Sequence, residues 1–257
     1  MNNSIKLQLL HPQGKLQTFV QAIWFAQADQ RGLQWLPCDG GDGIVIPICG
    51  EITLDGRFCH NSYYVHTATP YATALKVTPG SCFCGIRFQP GVYRYLSDSQ
   101  HPLLQPELLK KVTKQMQLQP SLANLEQLLT PYMNFTSPPA AMAQSQRFIQ
   151  RITAMEPLPL AYQHTPLSQR QLERQVKKQC GLTPKCLARI YRIRKVKTIL
   201  KQHPHASLAD VALACHFSDQ AHLQREFKAL LGLTPKRYTS LIRTQPKVLQ
   251  AVISDSH

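Results

Sequence analysis

Ser207 to Tyr238, SLADVALACHFSDQAHLQREFKALLGLTPKRY, decides the fold of the C-terminal half. Leu208, Val211, Ala212 and Cys215 fall at i, i+3, i+4 and i+7, which gives a first short helix one apolar face. Ser207 precedes it with Asp210 three residues on, the spacing of a capping box. Phe217 plugs the turn that follows, and Ser218 is the predicted N-cap of a second helix. Leu223, Phe227 and Leu230 share the inward face of that helix, so Ala221, His222, Gln224, Arg225 and Lys228 point away from the core. A short polar and basic face starting at a helix N-terminus suits the major groove of a duplex.

The run from Phe217 to Tyr238, F-S-D-Q-A-H-L-x-R-x-F-K-x-x-x-G-x-T-P-x-x-Y, resembles the C-terminal signature of the AraC/XylS family of bacterial transcription regulators. One position departs from it: the family usually has Gly at the turn, where this chain has His216, which must then take a left-handed backbone at some cost.

An offset of 51 residues superposes a second copy: Leu172 on Leu223, Arg174 on Arg225, Val176 on Phe227, Lys177 on Lys228, Arg192 on Arg243, and one GLTPK (Gly181–Lys185) on another (Gly232–Lys236). In each GLTPK, Gly ends one helix, Thr caps the next and Pro takes its first position. A duplicated helix-turn-helix is what the resemblance implies, over about residues 146–243. In the first copy the leading helix must fit within Glu156–Thr165, where Pro157 and Pro159 restrict it and Pro166 occupies the turn, so a short or displaced helix is expected. Its second helix, Ser168 to Cys180, opens with a Ser168/Gln171 capping box and turns Arg170, Gln171, Glu173, Arg174 and Lys177 outward. Between the copies, Pro184–Lys201 carries Leu187, Ile190, Ile193, Val196 and Ile199 among basic residues. As a helix it would be about 27 Å long. A stiff spacer of that size can set two recognition helices in successive major grooves, about 34 Å apart.

Charge follows the same division. Residues 1–145 hold 10 Lys/Arg against 8 Asp/Glu, and residues 146–257 hold 19 against 6, so most of the net +15 sits with the helix-turn-helix units. That placement favours a polyanionic partner. Residues 5–96 read as mostly β, with runs at Phe19–Phe25, Gly43–Ile48, Glu51–Leu54, Ser62–His66, Ala74–Thr78 and Ser81–Phe88 set off by Gly, Pro, Asp and Asn. Helical spacing follows at Pro106–Gln115 and Ser121–Tyr132, and residues 136–139 (TSPP) read as a linker. The expected fold is α+β in two domains. Residues 1–97 form a cupin-like, sandwich or barrel sensor or dimerisation domain, residues 98–139 its trailing helices and linker, residues 140–245 an all-α double helix-turn-helix, and residues 246–257 a loose tail. The spacing of Trp24, Trp35 and GIRFQPG (Gly85–Gly91) is similar to a sensor domain found ahead of this DNA-binding unit in some family members.

Arg170, Arg174 and Arg225 suit guanine, Gln171 and Gln224 suit adenine, and Glu173 can accept from cytosine; Ala221 and His222 complete the base-reading candidates. Ser168, Lys177, Thr183, Lys185, Ser218, Lys228, Thr234 and Lys236, at helix starts or on basic edges, are the phosphate candidates. Trp24, Trp35, Tyr63, Tyr64 and Arg87 are candidates for an effector pocket, against the plainer reading of core aromatics. Cys82 and Cys84 alternate on one strand and, with Cys59 and His60, are the candidates for a metal or redox site, against ordinary buried thiols. No CxxC pair, nucleophile elbow, paired metal-binding His or P-loop occurs, so neither an enzyme nor a cofactor is expected. The N-terminus lacks a basic-then-apolar leader and no apolar run reaches membrane-spanning length, so a cytoplasmic location without a membrane partner is expected. The resemblance implies promoter DNA as partner, with RNA polymerase, a small-molecule effector and a second copy of the chain as further candidates. Two alternatives stand beside it. In a zinc-cysteine methyl acceptor of the alkylation-response kind, Cys38 or Cys82/Cys84 would have to be the acceptor. In an architectural DNA binder the β domain would only dimerise.

Overall fold

Cys82–Phe88 (CFCGIRF) lies at the middle of the N-terminal half because both of its faces can be buried. Cys82, Cys84, Ile86 and Phe88 pack towards helices, while Phe83 packs on the opposite face between two sheets. A strand buried on both sides has no exposed face and belongs in the interior of a sheet. The computed structural model describes residues 5–36, 38–59, 63–135 and 140–244. Among them the strands are β1 Ile5–Leu10, β2 Val20–Ala28, β3 Gly32–Leu36, β4 Gly43–Cys49, β5 Ile52–Leu54, β6 Arg57–Cys59, β7 Tyr64–His66, β8 Thr73–Val77 and β9 Cys82–Phe88. They form one sheet of order β1-β2-β9-β4-β7 and another of order β3-β8-β5-β6, and every pairing is antiparallel. Ile5, Ala26, Val45 and Phe83 of the first sheet meet Ile52, Leu54, Leu75 and Val77 of the second. The outer face of the first sheet is covered by α2 (Pro106–Leu118) and α3 (Leu122–Leu129), through Leu109, Val112, Met116 and Leu125. The short strands β3 and β6 and the N-terminal β1 were not among the runs expected from sequence.

After β9 comes α1 (Val92–Asp98), which packs against a helix of the C-terminal half. That half holds α4 (Ala140–Thr153), α5 (Leu158–Gln163), α6 (Gln169–Cys180), α7 (Pro184–Gln202), α8 (Leu208–Ala214), α9 (Gln220–Leu231) and α10 (Pro235–Thr244). The first helix-turn-helix is α5–α6 and the second α8–α9. As the prolines require, α5 is short, at six residues. The two GLTPK segments behave alike: Gly181 and Gly232 end their helices at φ 70° and 73°, and the Thr183 and Thr234 hydroxyls accept from Cys186 and Arg237 backbone N–H groups. His216 takes the left-handed backbone expected of it, at φ 58°. The linker at residues 136–139 and the tail from 245 lie outside the described residues.

The two halves meet at residues 38–42. Cys38 is buried with the C-terminal apolar cluster rather than with the sheets. Gly40 has φ 78°, and a Cβ there would come within 2.6 Å of Leu187 Cδ1 on α7. The Asp42 carboxylate accepts from the Ala68 backbone N–H at 2.8 Å, which brings Ala68 against the same cluster.

Gly85 shows how tightly the sheets are packed: a Cβ there would collide with the Ile44 carbonyl oxygen and the Trp24 indole. Because one obstacle is backbone, Gly85→Ala is expected to destabilise the N-terminal half by about 3 kcal/mol. Urea unfolding followed by tryptophan fluorescence checks this; an unchanged midpoint would contradict the packing described.

Candidate nucleic-acid interface

Leu172 and Val176 of α6, and Leu223, Phe227 and Leu230 of α9, are buried, so the opposite face of each helix turns to solvent. Arg170, Gln171, Glu173, Arg174 and Lys177 are exposed on α6, as are Ala221, Gln224, Arg225 and Lys228 on α9. Lys185 and Lys236, one position into the helices that follow, are also exposed. An open cleft of about 470 Å³ runs beside α6, lined by Arg170, Arg174, Lys177 and Lys185 together with Tyr162 and Glu173.

Several candidate side chains are already engaged. Gln171 serves the capping box, its amide oxygen facing the Ser168 N–H at 3.0 Å and hydroxyl at 2.9 Å, so it is not free to read adenine. His222 is half-buried, edge-on to Phe217 at 5.3 Å, with Nδ1 3.0 Å from the Ser218 hydroxyl. The cap of α9 is Asp219 rather than Ser218: its carboxylate accepts from the His222 N–H at 2.6 Å. An anionic acceptor gains from the positive end of the helix, and Asp219 stands 51 residues after Ser168, in register with the repeat. That backbone N–H, with the Ser218 hydroxyl and the Arg225 charge, holds the Asp219 carboxyl below the usual carboxylate range. Glu173 accepts from Gln169 Nε2 at 2.8 Å and from the Tyr162 hydroxyl at 3.3 Å.

α7 fastens these parts together. Leu187, Ile190, Tyr191, Ile193, Val196, Lys197 and Leu200 are buried, a distribution that runs round the helix rather than along one stripe. Arg189 pairs with Glu226 of α9. Arg192 donates to the His216 carbonyl at 3.2 Å and lies over the Phe217 ring at 4.9 Å, gripping the turn of the second unit. Arg194 lies over Tyr191 at 4.8 Å and donates to the Asp39 carbonyl at 3.4 Å. The Asp39 carboxylate is itself held by a fork from Arg87, through Nε at 2.8 Å and through Nη2. Burial pushes the Asp39 carboxyl up, but the Arg87 charge and hydrogen bonds outweigh it and leave it below its ordinary value. Arg87 Nη1 faces His66 Nδ1 at 3.2 Å, and His66 Nε2 meets the Thr73 hydroxyl at 2.9 Å. Neither Asp39, Tyr162 nor Gln169 was marked by sequence, since nothing local reveals an ion-pair partner 48 residues away or a hydroxyl from the neighbouring helix.

The effector candidates do not form one group. Trp24 and Tyr64 pack between the sheets, with Trp24 edge-on to Phe83 at 5.8 Å. Tyr63 lies on the helix side, Arg87 is engaged by Asp39, and the side chain of Trp35 lies outside the described residues. The sulfur candidates are divided too. Cys82 and Cys84 face the helices, Cys59 lies between the sheets, and His60 lies outside the described residues. The one-face placement of Cys82 and Cys84 holds, but β9 separates them from Cys59, so the proposed ligand set is not assembled. Burial pushes the thiols of Cys38 and Cys82 up to about 11, away from the thiolate that a methyl acceptor requires.

The fold and the two exposed basic helices define a double helix-turn-helix unit. Residues 162–240 match the helix-turn-helix domain family. The HTH-type transcriptional activator RhaS of Escherichia coli is 39% identical over 70 residues, 27% of this chain and 25% of RhaS. The chain thus spans about a quarter of the length of the curated relatives it matches. Among solved structures, ToxT from Vibrio cholerae covers 93% of this chain and 98% of its own, at 10% identity and a TM-score of 0.45. A second ToxT structure, bound to (E)-4-(8-methylnaphthalen-1-yl)but-3-enoic acid, is 12% identical at the same TM-score and covers 93% and 99%. Among the described residues no helix is long and apolar enough to cross a membrane.

The Asp219 cap should be measurable: Asp219→Ala is expected to cost about 1 kcal/mol of C-terminal stability, read by urea unfolding. A pH dependence follows from His66, which burial, reinforced by Arg87, pushes down to about 4. Below its ordinary value of about 6.5 the unfolded chain takes up a proton that the folded one refuses, so stability is lost as pH falls towards about 4. Unfolding midpoints over that range should fall in the wild type and flatten in His66→Gln.

Proposed function

We propose that the protein is a sequence-specific DNA-binding transcription regulator without catalytic activity. In this reading residues 140–245 bind promoter DNA, and the β-rich part senses an effector or dimerises. The observation that carries it is the pair of exposed cationic faces on α6 and α9, both backed by α7. Arg170, Arg174, Gln224 and Arg225 are the base readers in this account. Lys177, Lys185, Lys228 and Lys236 hold phosphates, with the Thr183 and Thr234 hydroxyls, which accept from the backbone and keep their own protons to donate. RNA polymerase and a second copy of the chain are further partners under the same reading, with the cytoplasm as its location.

Footprinting with competitor DNA at physiological salt tests the central claim. A protected site is expected, and uniform affinity for all sequences would reject specific readout. Arg225→Ala should cost about 1–3 kcal/mol at that site and relax its sequence preference. Lys236→Ala should weaken all sequences alike and lower the salt slope by about 1. If the two variants act alike, the roles are misassigned.

Residues 38–42 supply the route from the β-rich part to α7. Asp39→Asn removes the anionic partner of the Arg87 fork. Hydrogen exchange of the α7 amides is expected to quicken while that of α2, beyond the sheet, keeps its rate. Unchanged α7 exchange would remove this route.

A further inference from the structure

We propose that Tyr162 and Gln169 position the Glu173 carboxylate as a cytosine-selective reader in the first unit, so that one half-site demands a C·G pair the other does not. This rests on the reading of the chain as a sequence-specific DNA binder. Glu173 is the one exposed acid on α6 and α9; Glu226, the other acidic residue of those helices, is half-buried and paired with Arg189. It sits in the cationic cleft beside α6, yet no Lys or Arg among the described residues comes within ion-pair distance of it. Its two hydrogen bonds come from neutral donors, and both end on Oε1. Oε2 is left to an outside donor, and the negative charge is not neutralised.

The positioning is firm. The Tyr162 ring packs on the fully buried Phe148 at 4.8 Å, which fixes the phenol over α6. Burial, reinforced by the Glu173 charge, pushes that phenol up to about 12, so it remains a donor at working pH. A carboxylate brought among phosphates is repelled unless it finds a donor. In the major groove cytosine N4 and adenine N6 each carry an amino donor, but adenine sets its N7 acceptor beside it. Thymine O4 and guanine O6 and N7 present only acceptors, so cytosine meets the carboxylate with the least repulsion. Discrimination therefore arises from repulsion of the wrong base as well as attraction of the right one.

The second unit lacks the device. The offset of 51 puts Leu213 where Tyr162 stands, Gln220 at Gln169 and Gln224 at Glu173. Leu213 is 77% exposed and has no hydroxyl to give, and the Gln224 amide offers both donor and acceptor. The two units share a fold and read different base pairs.

The test is selection from a randomised duplex pool with the full-length protein, followed by titration of single-base variants of the selected site. The wild type is expected to fix a C·G pair in one half-site only, and C→T there to weaken binding roughly tenfold or more. Glu173→Gln should move the preference at that pair towards A·T and leave the others unchanged. Tyr162→Phe keeps the ring on Phe148 and should retain its unfolding midpoint while discriminating several-fold less at that one pair. A wild-type motif that Glu173→Gln leaves unaltered overturns the assignment. A Tyr162→Phe protein with undiminished discrimination overturns the positioning role. A wild-type pool with no motif would instead sink sequence-specific binding itself, and this inference with it.

Discussion

The burial of α7 over most of its circumference is the constraint on which the arrangement depends. A helix with one apolar stripe can lean on one neighbour; α7 has apolar residues facing several, and so must pack against several. Each fully buried Leu, Ile or Val contributes about 1.5–3 kcal/mol, so no one contact decides its place. The polar residues between them add direction. Arg189 and Arg192 reach the second unit, and Arg194 reaches the loop from the β-rich part. At 19 residues, and so about 28 Å long, the helix spaces the two units without needing a flexible link.

The same helix makes the N-terminal half more than an attachment. Cys38 and Ala68 belong to the apolar cluster of the C-terminal half, and a Cβ at Gly40 would press within 2.6 Å of the Leu187 Cδ1 methyl. Beneath that contact is the Arg87–Asp39 pair. Buried pairs of this kind add little net stability, but breaking one is expensive because a charge is then stranded. The consequence is a loop with few alternative positions, joined at one side to the sheets and at the other to α7. Arg87 and Asp39 therefore hold the loop that contacts α7 through the Arg194–Asp39 hydrogen bond and the Gly40–Leu187 approach.

Local chemistry was the legible part of the sequence. The caps at Ser168, Thr183 and Thr234, the helix-ending Gly181 and Gly232, the left-handed His216 and the extent of α7 all follow from neighbours in the chain. What could not be read depends on partners far along it. β3 and β6 are short, and they are strands because β8 and β5 pair with them rather than by propensity. Ser218 looked like a cap because it precedes the helix, yet Asp219 is one place closer and carries a charge. Arg87 and Glu173 were singled out as residue types, but the groups that hold them, Asp39 for one and Tyr162 for the other, come from other elements. The cysteines illustrate the converse. Their alternation on β9 was correct, and the sheet then placed Cys59 on its other side.

The most direct measurement of whether α7 acts as a rigid spacer is affinity against half-site separation. Base pairs are inserted one at a time between the two halves of the selected site, and binding by the full-length protein is titrated for each. A fixed spacer predicts a sharp optimum, with specific binding lost at about five inserted pairs, where the second half-site has turned to the opposite face of the duplex. Equal affinity across that series would mean that the two recognition helices move independently, and would contradict the account.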